Sequence, residues 1–254
     1  MKNIKLPAPQ LSYLKEVDID LDMTGRHYVK LATSEGQIPE DVALDILTDL
    51  VKQDATNLTL SELRYLFMLV KINALDNEYN VAITCTKPKE DGTPCGHRQL
   101  VKIRLSDADL NRTPKHYKLP VVDFILKEGG KEEMIMIMPP KAKDEIELIR
   151  WFVTDKGKTE EDLITDKKTS LEYTFLRAGL HMQKDGVQIL NGPNEYEEFL
   201  KLMDFNKYKN IEKLYKAMTE VDSYGVQNKT YEVKCEECGG NLVFRTPLLY
   251  GLTD

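Results

Sequence analysis

Four cysteines in two similar settings constrain the fold of this chain more than any other feature of its sequence. Cys85 and Cys95 lie between two stretches of alternating apolar residues, EYNVAITC and RQLVKIRL, and a glycine follows Cys95. Cys235 and Cys238 lie between TYEVKC and NLVF, and a glycine again follows the second cysteine. Each setting predicts a strand, a cysteine-containing turn and a second strand. The sequence therefore indicates two half-sites that are far apart in the chain.

Thiolate coordination explains why a chain would repeat this plan. Zinc takes four tetrahedral ligands, and two residues between cysteines let a tight turn present both sulfurs to one ion. Glycine after the second cysteine allows the backbone angles of that turn and lets amide groups approach the sulfurs. We therefore predict a structural Zn²⁺ site with the ligands Cys85, Cys95, Cys235 and Cys238. Four thiolates leave no coordination position for water or substrate, so such a site is structural rather than catalytic.

Other interpretations of the cysteines stay open in the sequence. They could be reduced core thiols or disulfides, although a cytosolic chain keeps its thiols reduced. CEEC could be a redox motif, but a thioredoxin-like motif opens a helix, whereas NLVF predicts a strand. His97 could replace a cysteine as ligand, although four thiolates already complete the tetrahedron. The nine-residue spacing of the first pair indicates an insertion at Lys87–Thr93, whose role the sequence does not define.

Periodicity along the chain predicts an α+β fold in a single domain, residues 1–254. An N-terminal β segment, 1–35, is predicted from Leu11–Asp20 and His27–Ala32, which alternate around a turn-like gap. Apolar stripes in PEDVALDILTDLVKQ and TLSELRYLFMLVKINAL predict a helical region. The remaining assignments are a helical region at 36–76, the two halves of a split zinc-ribbon-like unit of antiparallel strands at 77–105 and 229–247, and a mainly helical insertion packed with them at 141–221.

Composition narrows the classes of function. The chain has 42 acidic and 35 basic residues and a net charge of −7, which favours protein partners over nucleic acid. The first half-site is locally basic, so a zinc-ribbon nucleic-acid-binding or regulatory protein remains the alternative. Its basic residues are Lys87, Lys89, Arg98, Lys102 and Arg104.

Motifs of enzymes and membrane proteins do not occur in the sequence. It has no phosphate-binding loop, no GxSxG and no HExxH motif, and its other histidines are isolated. We therefore predict a non-enzymatic protein without a small-molecule substrate. The N-terminal residues lack the apolar core of a signal peptide, and no apolar run is long enough to span a bilayer. We expect a protein that stays in the cytoplasm where it is made.

The order of these motifs resembles the baseplate hub assembly chaperone, or hub subunit, family of T4-like contractile-tailed phages. The matching features are LPAP at Leu6–Pro9, the helix at Thr59–Leu75, the Cys…CysGly turn, the HYKLP piece, the helical second half, and the terminal CxxCG between strands with its leucine-rich tail TPLLYGLTD. The chain departs from the family pattern in its nine-residue cysteine spacing and in its GLTD end.

The resemblance implies a non-enzymatic assembly factor or component for the central hub of a phage tail baseplate. Its partners would be other baseplate hub proteins, and it would act in the host cytoplasm during assembly, with or without a place in the tail of the virion. Aromatic content points to the helical region as the partner surface, because Tyr and Phe are favoured at interface cores. The candidates are Tyr196, Phe199, Tyr208 and Tyr215, which are equally well explained as core residues.

Overall fold

The computed structural model describes residues 1–34, 37–74, 77–89, 91–126, 130–204, 209–227 and 230–245. Helices dominate the fold, and short antiparallel sheets are distributed among them. The helices are α1 Gly25–Ala32, α2 Pro39–Leu50, α3 Leu60–Ala74, α4 Ala142–Thr154, α5 Asp162–Thr165, α6 Lys167–His181, α7 Pro193–Leu200 and α8 Lys209–Asp222. The strands are β1 Lys2–Lys5, β2 Glu16–Ile19, β3 Glu78–Thr84, β4 Arg98–Arg104, β5 Asp109–Asn111, β6 Val121–Ile125, β7 Glu132–Ile137, β8 Met182–Lys184, β9 Val187–Gln188, β10 Gly225–Gln227, β11 Thr230–Lys234 and β12 Asn241–Arg245.

The first long helices form where the sequence supplies both an apolar stripe and a start signal. In α2, Pro39 occupies the first turn together with two acidic residues, and the buried positions recur at helical spacing. In α3, the Thr59 amide donates to Glu62 Oε2 at 2.8 Å, which is one half of a capping box. The predicted helices in this part of the chain are confirmed.

Two adjacent clusters of buried apolar side chains make up most of the core. One is formed by α2, α3 and the N-terminal strands. The other lies between α4, α6, α7 and α8 and the four-stranded sheet β6-β7-β8-β9. Helix α4 joins them, because Ala142 packs in the first cluster and Leu148 in the second. The single-domain organisation itself stays a prediction.

The N-terminal segment corrects the sequence-based prediction of a hairpin between Leu11–Asp20 and His27–Ala32. Strand β2 pairs instead with β1, with Lys2 opposite Ile19. Residues 27–32 belong to helix α1, in which His27 and Leu31 are buried one turn apart. The physical reason is that Val29, between these two buried residues, is 63% exposed, which fits a helical face, whereas a strand would place Val29 on the same side as both of them.

The chain returns to its middle after α8. Strand β10 pairs with β5, with Val226 opposite Leu110, and it also packs against α3. This return carries the hairpin β11–β12 to the side of the hairpin β3–β4. Within the described ranges, no helix is both long and apolar enough to cross a membrane.

Candidate metal centre

Two antiparallel hairpins present the four cysteines. In the first hairpin, Thr84 of β3 lies opposite Arg98 of β4. In the second, Lys234 of β11 lies opposite Asn241 of β12. In both cases the residue before the first cysteine pairs with the third residue after the second cysteine. The two half-sites therefore share one register, although one contains seven more residues than the other.

The cysteine turns also share their backbone hydrogen bonds. In each turn the first cysteine donates its amide to the residue two positions after the second cysteine, and its carbonyl accepts from the glycine in between. The four bonds are Cys85 N to His97 O at 2.8 Å, Gly96 N to Cys85 O at 3.0 Å, Cys235 N to Gly240 O at 2.9 Å and Gly239 N to Cys235 O at 2.9 Å. Gly96 and Gly239 have φ of 64° and 68°, a left-handed conformation that favours glycine.

The insertion in the first half-site continues the hairpin outward. The amide of Cys95 donates to the carbonyl of Lys87 at 2.9 Å, and the amide of Lys89 donates to Thr93 at 2.7 Å. A salt bridge of 3.4 Å joins Lys89 Nζ to Glu237 Oε1 in the opposite half-site. The insertion thus leaves the cysteine geometry intact and contacts the second turn. Glu90 lies outside the described residues.

The four sulfur atoms converge, and two of their six separations match those of a tetrahedral metal site. All four lie within 4.8 Å of one another. The Sγ atoms of Cys85 and Cys238 are 3.7 Å apart, and so are those of Cys95 and Cys235. Zn–S bonds of about 2.3 Å at tetrahedral angles require sulfur–sulfur distances of about 3.8 Å. All four thiols are free of disulfide bonds, so the donor set fits a soft, tetrahedral cation.

The electrostatic environment of the sulfurs is uneven. Hydrogen bonds from the amides of Cys238 and Glu237 lower the pKa of Cys235 to about 7, against the opposing effect of burial. Burial raises the pKa of Cys85 to about 12. The amide of His97 acts to lower the pKa of Cys95, but burial and the neighbouring thiols outweigh it and raise that pKa. Because a metal binds thiolates, occupation of this site would release protons and would weaken at low pH.

His97 lies beside the cluster and outside its donor set. Among the described residues, the metal-ligating atoms that group together are the four sulfurs alone. His97 Nε2 is buried without a hydrogen-bond partner. The histidine contributes its backbone to the cysteine turn, through the amide and the carbonyl described above, and the exclusion of its ring from the ligand set stays a prediction.

The basic residues of the first half-site are partly neutralised by acidic neighbours. Glu78 forms salt bridges with both Lys102 and Arg104, and the Arg104 contact is 2.7 Å. Lys89 is paired with Glu237, as described above. This reduces the positive field that a nucleic-acid backbone would meet at the hairpin.

The candidate interface aromatics do not line an exposed surface. Tyr196 is fully buried and Phe199 is 6% exposed, and both belong to the larger core cluster. Tyr215 is partly buried against the same cluster. Tyr208 lies outside the described residues. Tyr196 and Phe199 are therefore core residues and do not form part of a partner surface.

Sequence reasoning missed a network of charged residues between α4, α6 and α8. Arg177 donates to Glu145 and, at 2.6 Å, to Asp222. His181 Nδ1 faces the Arg177 carbonyl at 2.8 Å, and its Nε2 faces Asp222 Oδ1 at 2.9 Å. The network borders a cavity of about 350 Å³ whose wall includes Glu62. The sequence signal for this network was the spacing of Arg177 and His181, which lie one helical turn apart. Their acidic partners are distant in the chain, so the sequence did not reveal the network.

Comparison with known proteins identifies one family that this chain matches over most of its length. Residues 22–247 match the model of a family described as T4 bacteriophage base plate protein. No curated protein and no solved structure matches the chain at a significant level.

Proposed function

Because this chain belongs to the T4 bacteriophage base plate protein family, we propose that it is a non-enzymatic assembly factor or component of the central hub of the phage tail baseplate. The observation that carries the proposal is the family match over residues 22–247, which includes both cysteine hairpins. In this function the protein binds other baseplate proteins, first in the host cytoplasm during assembly and then, if it is retained, in the tail of the virion.

We also propose that Cys85, Cys95, Cys235 and Cys238 hold a structural Zn²⁺ ion. Soft thiolate donors at tetrahedral separations suit zinc, which has no redox chemistry of its own. The shared turns aim amide groups at the sulfurs and so disperse the charge that four thiolates would concentrate. When bound, the ion supplies cross-linking and charge neutralisation.

The small size of the local core explains why this part of the fold would need an ion. The buried cluster at the cysteine hairpins contains only Cys85, Cys235 and Leu242 among its fully buried described members. Each hairpin is a separate two-stranded sheet, and a two-stranded hairpin alone is marginally stable in water. An ion bound by both hairpins would provide the stabilisation that apolar contacts do not.

The ion would also fix the relation between the middle and the end of the chain. It would join β3–β4 to β11–β12 and close the intervening residues into one loop, which restricts the unfolded chain. A rigid relation between these parts suits a protein that presents a fixed surface to partners. The partial neutralisation of the first hairpin, in which Lys102 and Arg104 share the carboxylate of Glu78, weakens the nucleic-acid-binding alternative.

Co-purification tests the assembly function. The tagged full-length chain would be co-expressed with the other baseplate proteins of the same phage and recovered by affinity chromatography followed by size exclusion. We expect at least one hub protein to elute with it in a stoichiometric complex. Recovery of the chain alone from every pairwise and combined expression would refute the proposal.

Elemental analysis tests the metal separately. We expect about one zinc per chain in the purified protein and none after replacement of Cys235 by Ser, since a closed site needs all four thiolates. Replacement of His97 by Ala is the matched control and should retain the zinc. Iron in place of zinc, or a metal-free protein with four thiols that react freely in the native state, would contradict the assignment.

A further inference from the structure

One loop of this acidic protein is positively charged. No acidic residue occurs from 110 to 122, although the whole chain has a net charge of −7. The loop between β5 and β6 carries Arg112, Lys115, His116 and Lys118 within seven residues, and all four are exposed. Three permanent cations are thus concentrated on a short segment.

These cations lack the acidic partners that other basic residues have. Lys102 and Arg104 each contact Glu78. Across the described part of the chain, by contrast, no salt bridge involves Arg112, Lys115 or Lys118. Their charge is therefore available to a partner.

The inward residues of the loop hold it in place. Tyr117 and Leu119, on either side of Lys118, pack against the core cluster that α4, α6, α7 and α8 form with the four-stranded sheet. The Tyr117 hydroxyl donates to Glu220 Oε1 at 3.0 Å, and its ring meets the Tyr224 ring edge-on at 4.9 Å. Glu220 is thus joined to the loop through the tyrosine and forms no salt bridge with Arg112, Lys115 or Lys118 in the described residues.

The start of the loop is attached to other elements, and a turn closes its middle. At its start, Asn111 Nδ2 donates to the Ser223 carbonyl at 2.8 Å, and the Thr113 hydroxyl donates to Gln10. Within it, the Tyr117 amide donates to the Pro114 carbonyl at 3.0 Å and closes a turn. A loop fixed in this way loses little conformational entropy when it binds, which favours specific recognition.

We infer that the loop Arg112–Lys118 is a docking site for a carboxylate-rich segment of another baseplate protein. The inference rests on the proposed function, and it adds the surface and the chemistry of the partner. A protein segment fits better than nucleic acid because the chain as a whole has a net charge of −7, which repels a long polyanion more strongly than a short acidic segment. Tyr117 packs edge-on against Tyr224, so its ring is held in place as part of the loop.

Binding of a defined acidic peptide tests the inference on the full-length protein. The probe is a fluorescein-labelled peptide of alternating Glu and Ala, twelve residues long, measured by fluorescence anisotropy at 50 and 200 mM NaCl. We expect binding at low salt that weakens several-fold at high salt, because screening shortens the reach of exposed charges. The variant Arg112→Glu, Lys115→Glu, Lys118→Glu should weaken binding at least tenfold, with an unchanged circular dichroism spectrum and melting temperature.

A matched triple variant controls for net charge. The control variant carries Lys52→Glu, Lys143→Glu and Lys167→Glu, which make the same change in net charge at exposed lysines outside the loop. It should bind the peptide with an affinity within about twofold of the wild type. Equal weakening by both triple variants, or no binding by the wild type at 50 mM NaCl, would overturn the inference.

Two further measurements separate the possible occupants. A single-stranded oligonucleotide of equal charge that binds more tightly than the peptide, and that the loop variant no longer binds, would assign the loop to nucleic acid and overturn the inference. Self-association that only the loop variant abolishes would assign it to a second copy of this chain, with the same consequence. In the co-purification experiment, the loop variant should lose a hub protein that the control variant keeps. A complex that both variants keep would sink the inference and leave the proposed function standing.

Discussion

Glu62 gives the sharpest test of how burial acts on this fold. Its side chain is 3% exposed, in the first turn of α3 beside the cavity, and it accepts a hydrogen bond from the Thr59 amide at 2.8 Å. Burial raises the pKa of this carboxyl from 4.5 to about 7, and the hydrogen bonds from Ser12 and Thr59 only partly oppose that effect. The change to make is Glu62→Gln, which keeps the shape and the cap but removes the charge.

The expected magnitude follows from the linkage between protonation and folding. Between pH 4.5 and 7 the folded state binds more protons than the unfolded state, so the contribution of Glu62 to stability falls as the pH rises. One pKa unit corresponds to about 1.4 kcal/mol, so above pH 7 the ionised carboxyl costs the folded state about 3 kcal/mol. Glutamine avoids this cost but forms a weaker bond with Thr59 than a carboxylate does. We therefore expect the free energy of unfolding of the Glu62→Gln variant to exceed that of the wild type by about 2 kcal/mol at pH 8 and by almost nothing at pH 4.5.

Urea unfolding of the purified protein at pH 4.5, 6 and 8 would measure the difference in the free energy of unfolding between variant and wild type. Taking the difference removes the pH dependence that the cysteine cluster contributes to both proteins. Glu160→Gln, at an exposed position, is the control and should leave stability unchanged at every pH. A gain in the free energy of unfolding that is the same at all three pH values would refute the reasoning, and so would the absence of any gain at pH 8.

Four other substitutions address the proposed metal site, a close approach and the charged network. Cys235→Ser should lower the midpoint of thermal unfolding by roughly 10 °C through loss of the ion, and His97→Ala by less than about 3 °C; calorimetry that gives equal shifts would contradict the ligand assignment. Gly225→Ala should cost about 3 kcal/mol in urea unfolding, because a Cβ there would lie 1.9 Å from Ser61 Oγ on a backbone with φ of 87°; a neutral result would contradict the packing. Burial opposes ionisation of Asp222, but its contacts with His181 and Arg177 of α6 outweigh burial and lower the pKa of Asp222 to about 2. Asp222→Asn should therefore cost about 2 kcal/mol at pH 7, and the cost should shrink as the pH falls from about 4 towards 2; a cost that is constant with pH in urea titrations would exclude the ionic explanation.

Local periodicity predicted the elements in which one face of a segment is buried. Helices α2, α3 and α4 and the hairpin β3–β4 lie where their apolar positions indicate. The likeness of the two cysteine turns was also visible, because both place glycine directly after the second cysteine, and the structure gives those glycines the same left-handed conformation. Such features depend on residues that are close in sequence.

Where the sequence misled, a segment's partner lay elsewhere in the chain. Strand β1 is the short, polar sequence KNIK and shows no strand pattern of its own; it forms by pairing with β2. Residues 27–32 alternate weakly, yet packing of α1 on α2 and the contact between His27 and Asp49 favour a helix. Tyr196 and Phe199 have the composition of an interface, but Trp151 and Phe175 cover them in the core.

The sequence by itself determined the cysteine turns, helices α2, α3 and α4, and the kind of chemistry that the four cysteines can perform, because these follow from residue type and short spacing. Only the tertiary structure decided that the four sulfurs meet, that Glu62 is removed from water, and that the cations of the loop Arg112–Lys118 have no acidic partner in the described chain. The physical reason is common to all three. Coordination, desolvation and charge pairing depend on distances between atoms of segments that are remote in sequence, and those distances exist only once the chain has folded.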